Sequence, residues 1–135
     1  MNKLGPKETK YHLAYAPNSV EINPLSRFRN SSDPDKERMI IVHVEFMDGD
    51  DFACRGIGLL HITLTDSDGN SLVTETISLD NPIVNRQHFD SVTRTYRVHF
   101  NKVPENLTQA TVRATFAQED ENPIRSKSYT IQSNE

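Results

Sequence analysis

From Met39 onward the chain alternates. Ile40, Val42, Val44 and Phe46 are separated by Ile41, His43, Glu45 and Met47, the period of two that gives a strand one buried face and one wetter face. The same period returns in Leu60, Ile62 and Leu64, in Tyr96, Val98 and Phe100, and in Ala110, Val112, Ala114 and Phe116. Helical spacing fits these runs poorly. Asp66-Ser67-Asp68-Gly69-Asn70 closes a hairpin between Leu64 and the run Leu72 to Leu79, because Asp, Gly and Asn tolerate the positive backbone angles of a tight connection. Two weaker strands flank these. Ser19 to Asn23 carries Val20 and Ile22 on one side and is ended by Pro24, as an edge strand would be; Arg125 to Ile131 brings Tyr129 and Ile131 inward. Seven short strands with turn chemistry between them predict an all-β fold. Its expected form is a two-layer antiparallel β-sandwich, an immunoglobulin-like or C2-like Greek key. The residues expected to face inward are Ile40, Val42, Val44, Phe46, Leu60, Ile62, Leu64, Tyr96, Val98, Val112, Phe116 and Ile131, since a slip of one residue would exchange an apolar face for a polar one.

The segments between strands divide the chain further. Residues 1–18 are polar, contain Gly5, Pro6 and Pro17, and read as a flexible arm with one extended piece at Tyr11 to Tyr15; residues 19–132 form a single domain. Pro24 to Arg38 reads as a charged loop whose Leu25 and Phe28 tuck against the core. Asp80 to Ser91 reads as a long crossing loop without a helix, because Asn81-Pro82 breaks the strand and no period survives; Ile83, Val84 and Phe89 are expected to cap one end of the sandwich, the alternative being that they line a shallow pocket there.

Composition narrows the partners. At 135 residues the chain buries a core without disulfides, and its single cysteine, Cys54, allows none internally. A net charge of −4 argues against nucleic acid. Aromatic residues make up 7% and tryptophan is absent, which argues against a sugar-stacking platform and favours a protein or structural partner over carbohydrate. No apolar run is long enough to insert into a membrane, and MNKLGPKETK lacks the apolar centre of a signal peptide.

The acids are the first candidates for chemistry. Asp48, Asp50 and Asp51 lie together on a Gly-containing turn, and carboxylates are the hard ligands that Ca²⁺ takes. If strands alternate up and down, the loops 48–57, 80–91 and 118–124 meet at one end, gathering Asp80, Asp90, Glu119, Asp120 and Glu121 near that trio. Repulsion there should raise some carboxyl pKa values unless a cation or a basic group intervenes. Asp66, Asp68 and Asn70 lack the spacing of an EF-hand and read as a turn. His43 and His99 are expected on outer faces of neighbouring strands, with no third ligand for zinc. Cys54 has Arg55 beside it, yet no catalytic partner can be assembled around it, and Arg55-Gly56-Ile57-Gly58 reads as a flexible loop entering a strand.

Val20-Glu21-Ile22-Asn23-Pro24-Leu25 and Phe89-Asp90-Ser91-Val92-Thr93-Arg94-Thr95-Tyr96 resemble recurring patterns in bacterial β-sandwich proteins of planctomycete type. The resemblance spans most of residues 19–131. It implies a cell-envelope or periplasmic setting, often behind a lipoprotein signal, and carries no activity or catalytic residue with it. The combined expectation is a non-catalytic binding or structural interaction module that needs no cofactor. The alternative is a calcium-type binding domain or hydrolase using Asp48, Asp50 and Asp51.

Overall fold

The computed structural model describes residues 16–29 and 38–133, so the expected extended piece at Tyr11 to Tyr15 lies outside the described residues. Two antiparallel sheets pack face to face as an all-β sandwich and do not close into a barrel. One sheet holds β1 (Ser19–Ile22), β2 (Arg27–Arg29), β3 (Arg38–Met47), β4 (Ala53–Cys54), β7 (Phe89–Asp90) and β8 (Thr95–Val103). The other holds β5 (Leu59–Thr65), β6 (Ser71–Ser78), β9 (Gln109–Ala117), β10 (Ile124–Arg125) and β11 (Tyr129–Gln132). The seven strands of four residues or more are those the alternation predicts; the other four are pieces of two or three residues.

The first sheet runs β1-β3-β8-β7, with β2 continuing β1 along β3 and β4 pairing the far end of β3. The second runs β10-β9-β5-β6, with β11 continuing β10 along β9. Both of these shared edges are therefore broken strands, interrupted near Pro24 and near Lys127. Register follows burial: Val42 stands opposite Val98, Leu60 opposite Phe116 and Ile62 opposite Ala114. All twelve residues expected to face inward are buried. At the centre Phe46 lies with its ring 4.5 Å from Phe116 and 5.5 Å from Tyr96, contacts worth about 0.5–1.5 kcal/mol each beyond the area they bury.

Four local expectations are corrected. Residues Pro82–His88 form a helix, α1, not a loop. Asn81 Oδ1 accepts the amides of Ile83 (2.9 Å) and Val84 (3.4 Å), and Pro82 occupies the first turn, where its missing N–H costs nothing. Arg27–Arg29 is strand rather than loop, and there Phe28 packs on the core while Leu25 is exposed. Arg38 opens β3 instead of closing a loop: its guanidinium donates to the carbonyls of Glu105 and Leu107 (2.9 Å each) and to Ser133 Oγ (3.0 Å), tying down residues 104–107. Finally, Gly56 and Gly58 are buried against Phe116 and the backbone of Ala117, so the segment they belong to is a close approach of chains rather than a loose loop.

Candidate functional site

Loops 48–57 and 80–91 meet at one end of the sandwich, and Asn85 on α1 joins them. Its Nδ2 donates to the carbonyls of Gly56 (2.6 Å) and Leu79 (2.8 Å). Its Oδ1 accepts from the Tyr96 hydroxyl (2.8 Å) and from Arg55 Nη2 (2.7 Å). The same tyrosine hydroxyl accepts the Gly56 amide at 3.1 Å. Arg55 in turn lies 4.8 Å above the Phe89 ring. Asn85 and Tyr96 are both buried, and every polar atom of the asparagine amide is used. In a low-dielectric interior a fully satisfied network of this kind rigidifies what it connects.

Two acids of this end, Asp48 and Asp90, are spent on the backbone. Asp48 is buried, and its Oδ1 accepts the amides of Asp50 (2.9 Å) and Phe52 (3.1 Å). Asp50 and Asp51 are exposed on the turn this creates, with Asp51 at φ 64°. Among the described residues no group of three or more His, Cys, Asp or Glu side chains is placed to hold a metal ion. Asp90 departs from the expected upward shift. The amide of Val92, then that of Thr93, and Arg97 at 3.7 Å hold its carboxyl below the usual range.

Cys54 is no activated nucleophile. Burial, with Asp48 adding to it, pushes the thiol up to about 11, and Arg94 only partly opposes this. Arg55, the cation beside it in sequence, is committed to Asn85.

The two histidines of the first sheet do not form a pair. His43 stands opposite Arg97 and His99 opposite Ile41, one step apart on the diagonal. His43 is buried and shares a 2.9 Å hydrogen bond between Nδ1 and Thr95 Oγ1, while its Nε2 is buried and bonds nothing among the described residues. Burial lowers its pKa below 6.5, as do Arg27 and Arg97; His99 is lowered by burial and by Arg97. The unfolded chain therefore binds protons more readily. Their contribution to stability is complete above pH 6.5 and is lost as pH falls through the folded values. Denaturant midpoints measured from pH 7.5 downward should fall below pH 6.5, and His43→Leu should flatten that fall while raising the midpoint at neutral pH. A wild-type midpoint constant across this range would contradict the assignment.

Large apolar side chains also face solvent at the loop end. Phe52 is 70% exposed, Ile57 67% and Ile83 60%, the first two in the 48–57 loop and the third on the helix. A groove of about 520 Å³ lies between Ile57, Pro82 and Arg86, floored by Gly56, Leu79 and Asn85. Alternation does not find Phe52 and Ile57, which lie outside the regular strands; Ile83, expected to cap this end, faces solvent instead, while Val84 and Phe89 do pack on the core. Nor does alternation find Asn85 as an anchor, although Asn81-Pro82 is the helix-start signal that places it. Compared with known proteins, the chain matches no family model, no curated protein and no solved structure.

Proposed function

We propose that the protein is a non-catalytic binding module that docks a protein partner on the apolar rim of its loop end. The observation that carries this is the pairing of exposed Ile57 and Ile83 with the buried Asn85 network beside them, Phe52 being exposed at the same end. Large apolar side chains held on a rigid base bind with little ordering cost, which is the usual economy of an interface anchor. The polar groups of the same end bond to one another and to backbone, which favours support over chemistry. An immunoglobulin-like reading of the fold is supported over a C2-like one by the order β1-β3-β8 facing β6-β5-β9 with β10 and β11 at its edge. The resemblance of residues 20–25 and 89–96 adds display in a bacterial envelope to the proposal.

A photo-crosslinking amino acid placed at Ile57 or Ile83 in the producing cell tests it. The expected result is one adduct of defined mass from both positions and none from Arg113, exposed on β9. Equal adducts from every face, or none from the loop end, would defeat the reading.

A further inference from the structure

Strand β6 is an open edge. It pairs only with β5 among the described residues, is eight residues long, and contains no Pro, Lys or Arg. Natural sheets ordinarily blunt such an edge with proline, lysine or a break. The β1/β2 and β10/β11 edges are broken, and β7 has only two residues. In β6 the one irregularity works the other way. Leu64 pairs with Val73 and Thr65 with Ser71, so Leu72 is an extra residue that the bulge turns toward a cleft between β6 and β8. That cleft, of about 300 Å³, is lined chiefly by Leu64, Leu72, Val73, Phe100, Val103 and Leu107.

We propose that β6 receives residues 11–15 of a second copy of the chain as an added strand, with side chains of that segment entering the cleft. Three observations select this occupant. Tyr11, Leu13 and Tyr15 alternate with His12 and Ala14, so one face of the segment is apolar and matches the lining. Between Gly56 and Asn85 the chain has four acids, Asp66, Asp68, Glu75 and Asp80, and no Lys or Arg, whereas residues 1–15 carry Lys3, Lys7 and Lys10 against Glu8 alone. The segment is thus drawn to β6 and repelled by the other open edge, β8 beyond its pairing with β7, which presents Arg97 and His99.

Geometry requires a second copy. Pro17 is held beside the end of β9, where its carbonyl accepts Gln118 Nε2 at 3.1 Å. The vacant position beyond β6 is three strand spacings from β9, roughly 14 Å, whereas Tyr15 lies two residues from Pro17, at most about 7 Å of chain. A chain cannot seat its own Tyr15 on its own β6. Pairing of two β6 edges is disfavoured in the register centred on Glu75, which sets the two Glu75 carboxylates directly opposite one another.

Sedimentation of the full chain tests the proposal, using two variants that leave the sandwich core untouched. Leu13→Asp spoils the donated segment; Leu72→Lys with Glu75→Lys spoils the receiving edge at two exposed positions. Wild type should associate in proportion to concentration, and each variant alone should lose about tenfold or more in association constant. A mixture of the two should form a one-to-one dimer and stop there, since only one intact segment meets only one intact edge. Wild type that stays monomeric, a Leu13→Asp chain that associates like wild type, or a mixture that remains unassociated would each overturn it. Equal melting temperatures for the three chains exclude unfolding as the cause.

Discussion

Asn85→Ala should unfold at a melting temperature roughly 10 °C below the native chain, the effect of about 3 kcal/mol lost in a domain of this size. Four partners are abandoned at once. The carbonyls of Gly56 and Leu79 lose their donor, and the Tyr96 hydroxyl and Arg55 lose their acceptor. Each buried group left without a partner costs about 1–3 kcal/mol, less whatever water can re-enter. Tyr96→Phe removes one hydroxyl from the same network and should cost about half as much, because Asn85 keeps its two donor bonds and Arg55. Calorimetry on both variants checks the ranking. An Asn85→Ala chain that melts within a few degrees of wild type would mean that the network is ornamental, and the rigid support proposed for Ile57 and Ile83 would go with it.

Gly58→Ala should cost more still, about 3–5 kcal/mol, in the range reserved for a backbone collision that cannot relax. Gly58 sits at φ +157°, and a methyl group there would stand 2.3 Å from the carbonyl oxygen of Ala117 and 3.1 Å from the Phe116 ring. Ala117 belongs to β9 and pairs with Leu59. Relief therefore requires prising β5 from β9 at the end of their ladder. Gly56→Ala meets the Phe116 ring at 2.8 Å, which can tilt, so its cost should be smaller. Gly69→Ala, at φ +84° with open space around it, meets backbone strain alone, about 1 kcal/mol. Urea midpoints in the order Gly69, Gly56, Gly58, with the last lowest, are expected. A Gly58→Ala midpoint equal to that of Gly69→Ala would refute the close approach.

These glycines mark where sequence stops being readable. Alternation exposes Ile40 to Phe46 and Leu60 to Leu64 as inward runs because a sheet imposes its period on every residue it contains. It is blind to features set by a few atoms. A helix of seven residues spans barely two turns, too short for a 3.6-residue period to emerge from Ile83 and Val84, and the capping asparagine looks like a strand breaker until the helix is seen. Asp48, Asp50 and Asp51 look alike in sequence, yet one buries its carboxylate against backbone amides while the other two face water. His43 occupies an outward position by parity and is nonetheless buried. Parity assigns a face; it does not say what lies across it.

The two ends of the described chain sit at opposite ends of the sandwich. Asn18 bonds to Met47 at the loop end, whereas Ser133 bonds to Thr108 at the other, where Arg38 also holds it. Tension applied through these points would pull β1 along β3 and β11 along β9. Their hydrogen bonds, which lie across the strands, would be loaded together in shear and not peeled one after another. Placed in line with other domains, this fold would bear a pull along its length in shear, with its loop end and its β6 edge left out of the loaded ladders.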